Sequence, residues 1–156
     1  MHPSGRIDTQ RAGMTLLELL VMITVMSVFI AVTAARMSSS TGSNMGAQAD
    51  ARHLAVDLRQ MQRAAISTGN NHYLQFNSDG SGITGYTLYQ RVSGVSQAMN
   101  SRPFSKGVTV TTTHTDLEYT FEGTALAAYQ VNLSGPNHNW QVSVVPVTGT
   151  VRAIRL

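Results

Sequence analysis

The chain has no cysteine, so neither a disulfide nor a thiolate ligand set is available, and any folded region must hold together by its core alone. Metal-ligand spacing is missing as well. His53, His72, His114 and His138 are scattered without the short two-ligand intervals of a zinc site, and are read as solvated or incidentally hydrogen-bonded. No Gly-x-Ser-x-Gly elbow and no Walker loop occurs, so no enzyme, no cofactor and no metal is expected. A single Asp79 among Asn, Ser and Gly lacks the charge for a calcium loop and reads as a plain turn. The net charge of +3 is too small to announce a nucleic-acid binder. Proline is absent between Pro3 and Pro103, so no proline kinks any helix across that stretch.

What is present begins with an apolar run over residues 14–35, whose polar members are Thr15, Glu18, Thr24, Ser27 and Thr33. As a helix of about 1.5 Å per residue this run reaches roughly 33 Å, enough to cross a bilayer core of about 30 Å. Glu18 stands out within it. An ionised carboxylate in a span costs on the order of 2.5 kcal/mol or more, so such a residue needs either a shallow position near the headgroups or a partner.

The flank points to the partner. Residues 1–13 are polar and end in Gly13, a residue small enough to enter a peptidase cleft, ahead of the apolar run rather than after it. An ordinary secretory signal has the opposite order. The segment G-M-T-L-L-E, Gly13 to Glu18, resembles the processing site of type IV prepilins and type II secretion pseudopilins. That resemblance implies cleavage of the 1–13 leader by a prepilin peptidase between Gly13 and Met14, N-methylation of Met14, and Glu18 as fifth residue of the mature chain. Met14 departs from the Phe most often found at the first mature position. It also implies that Glu18 sets assembly by meeting the Met14 amine of a neighbouring subunit once the helices pack in a filament core. The implied partners are other pilin or pseudopilin subunits, the peptidase, and the bacterial inner membrane, crossed once with a periplasmic C-terminal head. Family stems often carry a proline in the apolar part, and many major pilins a C-terminal disulfide. This chain has neither: the missing disulfide tilts the reading toward a minor component, and without the proline any flexibility of the stem falls to the Ser/Gly segment.

After cleavage 143 residues remain, with nine basic and seven acidic side chains and a net charge of +2. That is room for one helix stem and one compact head. Residues 14–37 are expected to form the transmembrane and filament-core helix, and 38–46 (S-S-S-T-G-S-N-M-G) a flexible break. The head spans 47–156. Within it, Ala47, Ala51, Leu54, Ala55, Leu58, Met61 and Ala65 recur at three- and four-residue steps, an amphipathic helix over 47–68 stopped at Gly69. Arg52, Arg59, Gln60 and Arg63 turn away from that face as a solvated row.

The period then changes. Runs at 72–76, 83–92, 108–113, 117–121, 129–133, 140–147 and 151–154 are β-branched or aromatic and separated by turn residues, and the last two suggest a hairpin. Residues 93–107, with Met99, Arg102, Pro103 and Lys106, read as a polar surface loop or a partner contact. Asp116, Glu118 and Glu122 share parity and read as an exposed sheet face. Trp140 heads an alternating strand and reads as sheet packing. The expected fold class is α+β, pilin-like: a long N-terminal helix and an antiparallel sheet packed on its amphipathic half.

The L-R-Q-M-Q-R-A-A-I-S-T-G, F-N-S-D-G, L-E-Y-T-F-E-G-T-A and W-Q-V-S-V-V-P-V-T-G-T-V-R segments resemble the GspH/FimT group of minor pseudopilins and minor pilins. Two functions follow from that resemblance. One is a structural subunit of a type II secretion pseudopilus, the other a minor pilin of a type IV pilus serving assembly or DNA uptake. DNA contact has only Arg152 and Arg155 as candidates, and in a regular strand they point to opposite faces. Two diverging charges make a poor phosphate clamp, so nucleic acid is disfavoured as a partner.

Overall fold

The computed structural model describes residues 15–36 and 39–156. It divides into two compact units, one ending at Ser38 and one beginning at Ser39. In the first, helix α1 covers Leu16–Arg36. Its side chains from Leu16 to Thr33 are all exposed. Residues 1–14, 37 and 38 lie outside the described residues.

The second unit is the head. Helix α2 covers Ser39–Thr68 and is followed by β1 His72–Asp79, β2 Gly82–Val92, β3 Val95–Pro103, β4 Thr109–Thr112, β5 Asp116–Tyr119, β6 Tyr129–Ser134, β7 Asn139–Val144 and β8 Val151–Arg155. The strands form two four-stranded sheets, ordered β3-β2-β1-β5 and β4-β6-β7-β8. Every strand pair is antiparallel, as expected for an α+β head without crossover helices.

The seven positions assigned to the apolar face of α2, from Ala47 to Ala65, are all buried. Six of them, from Ala51 to Ala65, meet alternate residues of the strands: Leu74, Tyr86, Leu117 and Tyr119 from one sheet and Val131, Leu133, Val142, Val144 and Val151 from the other. Leu74 is paired with Leu88 on one side and Leu117 on the other, which carries the buried row across the sheet. Each fully buried Leu or Val contributes about 1.5–3 kcal/mol of transfer free energy, so this shared core is the main source of cohesion in a cysteine-free head. Helix α2 stops at Gly69, whose N–H donates to the Ala65 carbonyl at 3.0 Å. The terminal hairpin is present as β7 and β8, with Trp140 half-buried against the core.

Two expectations about the helices and strands differ from the structure. Residues 39–46 are helical backbone rather than a break, so α2 begins eight residues before Ala47. Serine and glycine disfavour helix by at most about 1 kcal/mol each, an amount tertiary contacts override. Those contacts lie nearby. Asp50 accepts the Ser105 N–H at 2.7 Å, and a Cβ on Gly46 would come within 2.8 Å of the Ser105 Cβ, so the chain packs tightly against this end of α2. The second difference is β3, which occupies most of the stretch read as a loop. It is an exposed edge strand with no alternation, which hides it from a search by period. The signal for it was Ser93-Gly94 between Val92 and Val95. Both residues have positive φ, 50° and 81°, as a two-residue hairpin turn requires.

Candidate functional site

Thr15 precedes the first turn of α1, and its Oγ1 accepts the Glu18 N–H at 3.3 Å. With Thr15 at the N-cap and Glu18 three residues on, this is the spacing of a capping box. The T-x-x-E pattern is legible in the sequence, but only the Thr15 half of the box is made, the Glu18 backbone N–H being the donor. A carboxylate near the positive end of a helix dipole gains about 0.3–1 kcal/mol. Leaving it in hydrocarbon costs on the order of 2.5 kcal/mol or more, so the dipole alone does not compensate.

The hydroxyls of α1 satisfy themselves. Thr24 donates to the Val21 carbonyl, Ser27 to Thr24 and Thr33 to Phe29, at 2.8, 2.8 and 2.6 Å. Among the described residues, Glu18 is thus the one polar side chain between Leu16 and Thr33 with no bond of its own. The span Leu16–Thr33 is long and apolar enough to cross a bilayer. Gly13 and Met14, the expected cleavage and methylation positions, lie outside the described residues.

Among the described residues of the head, Asp50, Asp57, His72 and Glu118 are buried polar side chains. Asp57, 5% exposed, accepts the Tyr86 hydroxyl at 2.7 Å and Arg102 Nε at 3.1 Å, both on its Oδ2. This clamps β2 and β3 to α2. It also turns Arg102 inward, away from the partner-facing role considered for residues 93–107. Glu118 is 7% exposed and accepts Asn71 Nδ2 at 2.9 Å and Arg91 Nη2 at 3.4 Å. The reading of Asp116, Glu118 and Glu122 as one exposed face is therefore corrected. Asp116 and Glu122 are exposed, but Glu118 is covered by the chain entering β1 and by Arg91, which also stands over the Tyr73 ring.

His72 departs from the reading of the histidines as solvated or incidentally bonded. It is 1% exposed, with Nδ1 at 3.0 Å from the Asn70 carbonyl and Nε2 buried without a partner. His53 and His114 are exposed, and His138 lies beside Arg155 Nη2 at 3.0 Å. Among the described residues no group of three His, Asp or Glu is placed to hold a metal ion. Asp79 closes a turn, accepting the Ser81 N–H at 2.9 Å, and its bonds to Ser81 hold its carboxyl below the usual range. Arg52, Arg59 and Arg63 are exposed, although Arg59 also donates to the Val151 carbonyl at 3.2 Å. Arg152 and Arg155 sit at alternate parity in β8 and are not brought together.

Burial pushes the hydroxyls of Tyr86, Tyr119 and Tyr129 above the ordinary phenol range. For Tyr86 the hydrogen bond to Asp57 adds to that effect. Inside the core the Tyr86 and Tyr119 hydroxyls donate, to Asp57 and to the Gly149 carbonyl, while the Tyr129 hydroxyl accepts the Glu118 N–H.

No family model matches the sequence, and no curated protein sequence matches it. The fold does match solved structures. The minor pseudopilin EpsH from the type 2 secretion system of Vibrio cholerae superposes with a TM-score of 0.59 at 16% identity, over 69% of this chain and 95% of that one. Another structure of EpsH gives 0.58 at 13% identity, over 70% and 95%. The type IV minor pilin FimU of Pseudomonas aeruginosa (strain PAO1) gives 0.58 at 16% identity, over 69% and 87%. The chain has the pilin-like α+β fold of these minor pseudopilin and minor pilin structures.

Proposed function

We propose that this chain is a minor pseudopilin, a structural and non-catalytic subunit of a type II secretion pseudopilus. A prepilin peptidase cleaves it between Gly13 and Met14 and methylates Met14. Helix α1 then holds it in the inner membrane with the head in the periplasm, until the helix moves into a filament core among other subunits. The observation that carries this reading is Glu18. It is the one unbonded polar side chain among the described residues of an otherwise self-satisfied apolar span, and the first-turn dipole is too weak to offset its desolvation. The Met14 amine of a neighbour supplies the cation the site requires.

The likeness to FimU, nearly equal in TM-score to that of EpsH, supports a second reading as a minor pilin of a type IV pilus. Disrupting the gene separates the two: loss of type II substrate release with intact pili favours the first, loss of piliation with intact release the second. DNA contact through Arg152 and Arg155 finds little support, because the two point apart.

Glu18→Ala tests the assembly role. Processing by the peptidase, read as the shift in mass on membrane expression, should proceed, while recovery of the subunit in sheared filaments should fall to background. Normal incorporation of the variant would remove Glu18 from assembly.

A further inference from the structure

The outer side of α2 is cationic and carries no counter-charge of its own. At 100° per residue, Arg52, Val56, Arg59, Arg63 and Ile66 fall within an arc of about 80°, opposite the buried alanine and leucine face. All five are exposed. The row from Arg52 to Arg63 is about 16 Å long at the helical rise. The two carboxylates of α2, Asp50 and Asp57, are both buried and engaged, with Ser105 and with Arg102. Elsewhere in the head Arg91 and Arg102 are paired with Glu118 and Asp57, whereas Arg52 and Arg63 form no ion pair among the described residues. Arg59 gives one N–H to the Val151 carbonyl, a neutral acceptor that leaves its charge uncompensated.

We infer that this stripe docks the head on the anionic phospholipid surface of the bilayer that α1 crosses. Guanidinium groups match phosphate oxygens in bidentate geometry, and a row of them meets a surface of headgroups without needing a shaped pocket. The aliphatic members of the stripe decide among polyanions. Val56 and Ile66 are 45% and 56% exposed between and beside the arginines. A bilayer interface offers phosphates and hydrocarbon at adjacent depths, which a nucleic-acid backbone does not. A second copy of this chain offers no acidic row to match. Its exposed carboxylates stand singly: Asp79 in the β1–β2 turn, already bonded to Ser81, Asp116 at the start of β5 and Glu122 beyond its end. The tether favours the same partner. Arg52 follows the span by nineteen residues, so the chain keeps the stripe within reach of the bilayer and converts docking into an intramolecular step. Docking rests on the reading of α1 as a membrane anchor, and it would hold the waiting subunit's head on the bilayer before assembly.

The test places the full chain, methyl-labelled at isoleucine, leucine and valine, in lipid nanodiscs carrying a trace of gadolinium-headgroup lipid. One set is phosphatidylcholine alone, the other includes phosphatidylglycerol. The Val56 and Ile66 methyl signals should broaden in the anionic discs and recover in the zwitterionic ones, while Ile154, exposed on β8 off the stripe, stays sharp in both. Added salt should reverse the broadening, because exposed charges are screened. Arg52→Gln/Arg63→Gln should weaken docking roughly 25-fold, about fivefold for each arginine near a charged surface. Arg59 is left in place because it also holds Val151. Unchanged signals from the buried Val131 and Leu133 show that the variant is folded; if it is not, the salt reversal in the unaltered chain carries the same information. Equal broadening in both lipids, none in either, or no response to salt would overturn the docking. So would an arginine-dependent shift of Val56 on adding polyglutamate or a DNA duplex without any response to phosphatidylglycerol, which would assign the stripe to an acidic protein or a nucleic acid. A chain that does not stay with the discs overturns the anchor reading, whereas one that stays but ignores phosphatidylglycerol overturns the docking alone.

Discussion

Helices α1 and α2 are both long and uninterrupted by proline, and they solve opposite problems. Helix α1 is apolar around its circumference, exposes every side chain from Leu16 to Thr33, and folds its hydroxyls back onto its own carbonyls. Among its described polar side chains Glu18 is the one with no bond of its own. Helix α2 buries one face made largely of alanine and leucine; its Asp57 holds β2 and β3, and its Asp50 holds the β3–β4 connection at Ser105. The difference is one of solvent. An all-round apolar helix is completed by lipid or by other helices of its kind, whereas a one-faced helix is completed by the chain that follows it.

The largest test of that contrast is a matched pair of truncations. Leu58→Ala in α2 should lower head stability by about 2–5 kcal/mol in urea unfolding, while Leu20→Ala in α1 should leave it within about 0.5 kcal/mol. A comparable loss from Leu20→Ala would show that α1 contributes to the head's stability and would break the comparison. Next in size is Asp57→Ala, which strands the Tyr86 hydroxyl and Arg102. A loss of about 2–3 kcal/mol by the same measurement is expected.

Gly149→Ala should cost about 1–2 kcal/mol from backbone alone, since Gly149 has φ 62°. A Cβ there would also press on Gln62 and the Gly123 carbonyl, disturbing the bonds by which Gln62 of α2 holds Gly123 and Thr148. A thermal melt in which this variant matches the unaltered head would show the turn to be idle in tying α2 to the sheet.

The smallest effect at neutral pH is linked to the buried tyrosines. The folded head keeps their protons above the ordinary value near 10, while the unfolded chain releases them there. Stability is therefore fully present below about pH 10 and is lost as pH rises through the raised values. Urea midpoints measured from pH 8 to beyond 10 should fall only at the alkaline end, and Tyr86→Phe should shallow that decline. A flat profile would place these phenols in water.

Features with a local period were readable without coordinates. The span, the seven buried positions of α2, the Gly69 stop, the terminal hairpin and the divergence of Arg152 from Arg155 follow from steps of three, four or two along the chain. The Thr15 cap on the Glu18 N–H and the pairing of Ser93 with Gly94 in a two-residue turn were equally local.

What only the tertiary structure decided depends on residues far apart in sequence. Residues 39–46 are helical, with Ser105 packed against Gly46 and Asp50 just beyond; Glu118 is buried because Asn71 and Arg91 cover it. His72 is buried with one acceptor unmet because β1 turns it toward α2. The sequence by itself determined that Glu18 stands alone in an apolar helix, since composition and helical rise are local properties. Which polar groups of the head are paired, and which one is left waiting, was decided by the packing of sheet on helix, where the partner of a residue is chosen by space rather than by chain distance.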